Sequence, residues 1–286
     1  MTIKISPEVG IHHNIPDTVY HEQWDAVNVS AIKAAIKSER HYYEFIHALP
    51  KQEKPSPALL LGQAVHCAVL EPDRFNEQYV REPAQPEDDT AKNWRATKAY
   101  KEWVSQAKAE GFKVVTADVM DMCNEIHESL YCGDGEASEL VRSTTATEVS
   151  YVCTEEQTGL RCKVRADGIA PGIVWDLKTI DDMANFQRHY FNYGYYLAAM
   201  FYPWVIREAE EGTPPLREYR FVVVEKKPPY EHKIFKPATA ALDYASIIKI
   251  RPALDRIAAA LETGEYPGYD KSLQTVDLPA WAYNQN

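Results

Sequence analysis

Hydrophobic and polar positions along the chain divide it into helical and strand segments. Apolar residues recur about every three or four positions in several segments, and this spacing predicts helices over Ala31–Ala48, Ala58–Leu70, Ala91–Glu110, Thr116–Leu130, Asp181–Arg207 and Ala240–Thr263. Short runs rich in β-branched and aromatic residues are typical of strands, which we predict over Thr147–Thr154, Leu160–Ile169, Ile173–Lys178, Glu218–Glu225 and Tyr230–Lys236. This order predicts an α/β fold with a mixed, partly antiparallel central sheet flanked by helices.

The chain of 286 residues is predicted to form a single domain. We divide residues 1–286 into an N-terminal lead-in and helix (1–57), a core (58–207), and a C-terminal part with strands, a helix and a docked tail (208–286). The sequence contains no internal repeat.

Three strands near the middle of the chain bring charged residues together. If Pro171 and Gly172 form the centre of a tight turn, continuing the pairing away from that turn sets Asp167 opposite Asp176. Opposed residues on antiparallel strands have Cβ atoms about 5 Å apart, a distance at which two carboxylates repel unless a cation separates them. Because strand side chains alternate, Asp176 and Lys178 should project from one face of the sheet.

Two carboxylates and an ammonium group at one point suit phosphodiester hydrolysis. Carboxylate oxygens are the ligands that Mg²⁺ prefers, and the metal can activate water and neutralise phosphate charge. The ammonium group can stabilise charge that develops during the reaction. The alternative is a salt bridge between Lys178 and the acids on a solvated hairpin, but the apolar run Ile173–Trp175 that leads into the cluster favours the chemical interpretation.

Asp167 followed by Asp176-Leu177-Lys178 resembles the D…(D/E)xK signature of the PD-(D/E)XK nuclease superfamily. Other segments are similar to the exonuclease VIII (RecE) family, in the RecB-like and λ-exonuclease-like branch: Leu59–Cys67 with its histidine, Thr158–Leu160, the tyrosine-rich Tyr190–Tyr202, and Leu278–Ala282. These segments are spread over nearly the whole chain. The resemblance implies a core like that of restriction endonucleases.

The resemblance also implies roles for individual residues. Asp167 and Asp176 would bind the metal together with the Leu177 carbonyl, and Lys178 would position the attacking water. Glu148 stands at a matching position on the neighbouring strand and would hold a second metal or brace the site. His66 would contact the metal or a phosphate, whereas a histidine on an apolar helix is by itself more often a core residue.

Candidate DNA contacts lie on two of the predicted helices. On the first, aromatic residues are interleaved with four basic residues spaced three apart along the helix, namely Lys92, Arg95, Lys98 and Lys101. Such a pattern can stack on unpaired nucleotides, and the alternative is a set of core aromatics beneath a solvated face. On the second, RecB-type nucleases carry a glutamine where this chain has Ala198, so Tyr193 or Tyr195 would contact DNA instead.

The resemblance implies a Mg²⁺-dependent exodeoxyribonuclease, with Mn²⁺ able to substitute, that degrades linear double-stranded DNA from 5′ to 3′. It also implies a homotetrameric ring and a RecT-like single-strand annealing protein as partner in recombination. A ring would confine DNA on a chain whose net charge of −11 opposes phosphate binding. An endonuclease, a single-strand trimming nuclease and a catalytically silent DNA-binding or assembly module are the alternatives.

Composition limits the expected cofactors and compartment. The five cysteines are odd in number and lack C-x-x-C spacing, which argues against a disulfide framework or a zinc ribbon. None follows Lys178, where iron–sulfur relatives of this nuclease fold place cluster ligands, so we expect no iron–sulfur cluster. We expect no use of ATP, because the sequence has no glycine-rich phosphate loop. Without an apolar run of membrane-spanning length or a signal peptide, the expected location is the cytoplasm and no membrane contact is expected.

Overall fold

A six-stranded sheet lies at the centre of the residues that the computed structural model describes, which are 4–48, 57–85, 93–211, 217–278 and 283. In spatial order its strands are β1 (Gly10–His12), β4 (Ala146–Thr154), β5 (Arg161–Ala170), β6 (Ile173–Ile180), β7 (Glu218–Glu225) and β8 (His232–Phe235). Strands β6 and β7 run parallel and the other neighbours antiparallel. A separate parallel ladder joins β2 (Tyr79–Arg81) and β3 (Lys113–Val115). The predicted mixed, partly antiparallel sheet is confirmed.

Helices cover both faces of this sheet. One face carries α1 (Val29–Lys37), α2 (Glu39–His47), α8 (Phe186–Asn192), α9 (Tyr195–Ala209) and α11 (Arg251–Thr263). The other carries α3 (Pro57–Leu70), α4 (Pro72–Gln78), α6 (Ala117–Cys132) and α7 (Glu136–Arg142). Helix α5 (Lys98–Ala109) packs beside β3, and α10 (Thr239–Asp243) continues through a π-helical segment, Tyr244–Ile250, into α11. Two apolar layers therefore enclose the sheet.

Two of the long helices predicted from apolar spacing are each broken into two. The first ends at Ser38, whose extended backbone separates α1 from α2 and whose hydroxyl accepts a hydrogen bond from the backbone N–H of His41. The second ends at Gly194, which adopts a left-handed conformation (φ 63°) between α8 and α9. In both places apolar periodicity continues across a residue that stops the helix. The prediction of single helices over Ala31–Ala48 and Asp181–Arg207 is therefore wrong.

The predicted helix Ala58–Leu70 is confirmed as α3, which lies against the sheet. It is apolar on nearly every side, and Val65 and Val69 are fully buried. At 14 residues, α3 would extend about 21 Å, less than the thickness of a bilayer core. No helix in the described parts of the chain is both long and apolar enough to span a membrane. Helix α3 is instead a core helix that presents His66 to the central strands.

Strand β5 also binds an N-terminal segment through two cationic side chains. The buried ammonium of Lys163 donates hydrogen bonds to the backbone carbonyls of Tyr20 (2.6 Å) and Trp24 (2.7 Å). The guanidinium of Arg165 donates to the carbonyl of Ile15 (2.8 Å). Burial lowers the pKa of Lys163 to about 8. We call residues 15–24 the N-terminal clasp, because they close over one end of the strand that also carries Asp167.

Candidate active site

The site begins where strands β5 and β6 separate. Their pairing follows the predicted register as far as Gly168 opposite Trp175, and Asp167 is the first residue beyond the last pair. There the Asp167 carboxylate accepts a hydrogen bond from the backbone N–H of Leu177 at 2.8 Å. Gly168 is required next to it, since a Cβ atom there would lie 2.1 Å from the Trp175 ring. The tryptophan thus fixes the strand end from which Asp167 projects.

Asp176 and Lys178 project from the face of β6 that carries α9, while Leu177 is buried on the other face, as the alternation predicts. Their charged groups form a close ion pair, and the Lys178 ammonium also lies 5.3 Å from the centre of the Tyr195 ring. Burial lowers the pKa of Lys178, but the carboxylates of Asp176 and Asp167 outweigh burial and raise it above its ordinary value. The neighbouring carboxylates thus favour the cationic form of Lys178.

His66 reaches the site from α3 with a defined tautomer. Its Nε2 atom lies 2.9 Å from the Leu177 carbonyl, which can only accept a hydrogen bond, so Nε2 carries the proton. The Nδ1 atom then has a free lone pair and lies 3.7 Å from a carboxylate oxygen of Asp167. Two electron pairs that face each other repel unless a cation or a proton separates them. A histidine that binds metal through one ring nitrogen commonly donates the N–H of its other ring nitrogen to a carbonyl or carboxylate, as His66 does here.

Glu148 occupies a strained position on β4 directly across from Asp167. Its φ of 52° lies in the left-handed region, which is uncommon for a residue other than glycine. The ladder between β4 and β5 continues on both sides of it, but Glu148 itself is unpaired in that ladder. Burial, and then the neighbouring Asp167 carboxylate, raise the pKa of Glu148 to about 8. Strain that persists at such a point is characteristic of functional sites.

The three side chains His66, Glu148 and Asp167 form a donor set that fits one metal ion. One ligand atom from each lies within 4.8 Å of the other two. Burial, and then the Asp176 carboxylate, raise the pKa of Asp167 above its usual value. Both carboxyl groups are thus held where their negative charge is costly without a cation. A nitrogen donor with two carboxylates is compatible with Mg²⁺, Mn²⁺ or a similar divalent ion.

The other two predicted ligands have different partners. Asp176 neutralises Lys178, and the Leu177 carbonyl accepts the hydrogen bond from His66 and lies 3.3 Å from the Lys178 ammonium. Both nevertheless belong to the same site. Leu177 contacts His66 through its carbonyl and Asp167 through its backbone N–H, and Asp176 contacts Lys178. Their roles as ligands remain predictions.

We expect Mg²⁺ affinity to rise with pH because Glu148 must lose a proton to bind the metal. Affinity should increase as the pH rises toward about 8 and level off above it, where Glu148 is ionised without metal. Without metal, the free energy of unfolding should fall as the pH rises. The stability that Glu148 contributes is present below its ordinary pKa and is lost as the pH rises toward 8. Calorimetry in buffers of different ionisation enthalpy measures the released proton.

Glu148→Gln is the matched control for this pH dependence, because it preserves shape and removes the titrating group. The variant should bind Mg²⁺ more weakly, with a flatter dependence on pH. Proton release equal to that of the unaltered protein would show that Glu148 is not the titrating ligand.

The predicted DNA contacts on α5 and the turn before it have partners of their own. Arg95 donates to the buried carboxylate of Glu82, with Nε to Oε2 at 2.8 Å, and Lys98 lies 3.5 Å from Glu102. The predicted helix is shorter than expected, since α5 begins at Lys98. Lys101 lies on this helix, and Lys92 lies outside the described residues. A role in DNA binding remains a prediction for these four basic residues.

The other two predicted DNA contacts lie beside the site, at the break between α8 and α9. Tyr195 is in contact with Lys178, and the Tyr193 ring centre is 5.7 Å from that of Tyr195. The structure adds Lys33 of α1 to the surroundings of the site. Burial, and then the Lys178 ammonium, lower the pKa of Lys33. Its closeness to the site comes from the packing of α1 on α9, which spacing along one helix could not reveal.

The sequence matches a known family over most of its length. Residues 28–278 match the family described as "PDDEXK-like domain of unknown function (DUF3799)". The fold is similar to the crystal structure of a "putative exonuclease" from Eubacterium rectale, with a TM-score of 0.59, 16% sequence identity, and coverage of 96% of this chain and 99% of that chain. At this identity the similarity supports the fold alone. No curated protein matches the sequence.

Proposed function

We propose, because this chain belongs to the PDDEXK-like family DUF3799 and is a nuclease of the PD-(D/E)XK type, that it is a Mg²⁺-dependent exodeoxyribonuclease. Its substrate would be linear double-stranded DNA, degraded from 5′ to 3′. One observation carries the proposal: the donor set of His66, Glu148 and Asp167 lies next to the ion pair of Asp176 and Lys178. A catalytically silent module would have no need to hold these groups together at the cost of raised carboxyl pKa values.

The residues at this site divide the work between metal binding and charge stabilisation. His66, Glu148 and Asp167 would hold the metal, which when bound supplies Lewis acidity toward the scissile phosphate. Asp176 keeps Lys178 charged and fixes its direction. Among the described residues, one of the three N–H donors of Lys178 faces Asp176 and one faces the Leu177 carbonyl, so the third would orient a water or a phosphate oxygen.

The proposal includes the direction of digestion and the oligomeric state. Digestion from 5′ ends would leave 3′ single strands for a RecT-like annealing protein in recombination. A homotetrameric ring would keep the substrate near the site despite the net charge of −11. Light scattering, together with a processivity assay in the presence of competing DNA, tests the ring. A stable monomer that digests long duplexes processively would contradict it.

Hydrolysis of duplexes labelled at either the 5′ or the 3′ end tests the activity. We expect early release of the 5′ label in Mg²⁺, none in EDTA, and no attack on closed circular duplex. Equal cutting of closed circles would identify an endonuclease instead. Failure to hydrolyse any DNA in Mg²⁺ or Mn²⁺ would favour the silent module.

His66→Ala should reduce activity more than stability, because Nδ1 is lost as a ligand while one hydrogen bond to Leu177 is lost from the fold. We expect a fall in kcat/KM of roughly tenfold to a hundredfold, partly restored by raising Mg²⁺, and a loss of about 1 kcal/mol in the free energy of unfolding. The matched control is His127→Ala, which removes a half-buried histidine on α6 that stacks on Tyr131. Unchanged activity with a lowered melting temperature would make His66 a core residue.

A further inference from the structure

A set of aromatic rings continues from the catalytic lysine along the surface of the α9 face. We call it the aromatic strip, and it consists of Tyr195, Tyr193, Phe191, Tyr196 and Tyr244. Phe191 is 67% exposed, Tyr193 54% and Tyr244 42%. Single exposed rings are ordinary, but adjoining ones indicate a binding surface. The catalytic roles proposed above use none of these rings.

The rings of the strip form two connected groups. Tyr195 joins the strip to the site through Lys178, with the ammonium 5.3 Å from its ring centre. The neighbouring residue, Tyr196, lies 6.2 Å from Phe191 and 6.0 Å from Tyr244, measured between ring centres. The planes of Phe191 and Tyr196 differ by 15°. Aromatic rings that follow one another along a surface offer faces on which successive bases of a single strand can stack.

Cations lie along the strip from one end to the other. Lys178 stands at the site, and Lys249 lies 5.3 Å from the centre of the Tyr244 ring at the far end. Between them, Lys33 extends along the α8–α9 break, where a Cβ atom at Gly194 would lie 3.1 Å from its Cε. This order of rings and positive charges complements a polyanion whose units carry flat bases.

An open cleft of about 510 Å³ extends this surface between α1 and the π-helical segment. Ile36, one turn beyond Lys33 on α1, lines it together with Ile248 and Lys249. The one acid that lines the cleft, Asp255, accepts a hydrogen bond from Arg251 at 2.8 Å, and Arg251 also donates to the buried carboxylate of Glu155 at 2.9 Å. Two cations, Lys249 and Arg256, line the cleft beside this one acid, so the lining carries more positive than negative groups.

We propose that the aromatic strip binds a single-stranded polynucleotide of about four nucleotides, with bases stacked on the rings and phosphates facing Lys33 and Lys249. The bound strand would continue to Lys178, so the inference rests on the proposed nuclease function for its catalytic end. Duplex would not fit in the same way, because paired bases offer no free faces except at an end. The strip thus selects the unpaired strand, and the enzyme would hold one frayed or resected strand while it acts.

Fluorescence anisotropy in EDTA tests the strip without hydrolysis. The probes are a labelled oligothymidylate of about twenty nucleotides and a blunt duplex of the same length. Phe191→Ala and Tyr244→Ala should each weaken single-strand binding about tenfold, with a much smaller effect on the duplex. Tyr244→Phe is the matched control, because it keeps the ring face and should bind as the unaltered protein does. Lys249→Gln should reduce the salt dependence of binding.

Three results would overturn the inference, and each is separate from the proposed activity. The first is unchanged single-strand affinity in both alanine variants with unchanged melting temperatures. In the second, Tyr244→Phe weakens binding as much as Tyr244→Ala does. In the third, the alanine variants change the mass measured by light scattering while their single-strand affinity is retained, which would make the strip an interface between copies of this chain. A protein without nuclease activity could still show the expected binding, so the two failures are distinguishable.

Discussion

Asp167→Asn is expected to reduce hydrolysis of linear duplex by a thousandfold or more, while the fold stays intact. The asparagine oxygen can still accept the hydrogen bond from the Leu177 backbone, which Asp167 accepts at 2.8 Å. What is lost is a charged ligand shared with His66 and Glu148, worth about 4 kcal/mol or more toward the transition state. Steady-state hydrolysis of end-labelled duplex in Mg²⁺ and calorimetric Mg²⁺ binding measure the two losses.

The melting temperature of Asp167→Asn in EDTA should hold or rise. Burial and the Asp176 carboxylate raise the pKa of Asp167, so its ionised form costs folding free energy that asparagine does not. Asp118→Asn, an exposed residue at the start of α6, changes the net charge equally and should leave activity unaltered. Near-normal digestion by the Asp167 variant would remove this residue from the catalytic machinery.

Lys178→Met should lower kcat by roughly a hundredfold, because one positioned donor is lost near the reacting phosphate. It should also destabilise the metal-free protein, since Asp176 is 7% exposed and would be left as a buried carboxylate without its cation. Breaking such a pair costs about 3 kcal/mol. Added Mg²⁺ should recover part of that stability. Thermal melts with and without Mg²⁺, combined with single-turnover hydrolysis, separate the two effects.

Two further variants define the role of this lysine. Lys178→Arg keeps the charge but not the compact ammonium, so it should restore stability more than activity. The double variant Asp176→Asn with Lys178→Met removes both charges and should melt above the single Lys178→Met variant in EDTA. If Lys178→Met lost Mg²⁺ affinity to the same degree as Asp167→Asn, the separation between ligand and charge donor would be wrong.

The part of the site that could be predicted from the sequence depends on local register. The Pro171-Gly172 turn determines which residues of β5 and β6 face each other, and strand alternation determines that Asp176 and Lys178 share a face. The apolar spacing of α3 was also sufficient to predict that helix. Each of these features is a consequence of residues near one another in the chain, where spacing is informative.

Features that depend on contacts between distant segments could not be predicted in this way. Glu148 was expected on a regular strand, but the structure shows a left-handed backbone conformation there. The spacing of residues along β4 could not indicate this, because Glu148 and Asp167 come close together only when β4 and β5 pair. Asp167 and Asp176 were expected to repel unless a cation separates them, and the structure pairs Asp176 with the Lys178 ammonium. Gly194 ends a helix that its apolar neighbours would continue, since periodicity carries no information on backbone dihedrals.

The N-terminal clasp has a consequence for sequence variation in this family. Residues 15–24 lie before the segment that matches the family, which starts at residue 28, whereas Lys163 and Arg165, which bind the clasp, lie within it. A buried lysine is tolerated only while carbonyl oxygens receive its hydrogen bonds. Relatives in which this segment is absent or follows another path should therefore also differ at these two positions, as correlated changes. Substitutions within the segment that keep its backbone path should be tolerated, because the two strand residues bind its carbonyl groups.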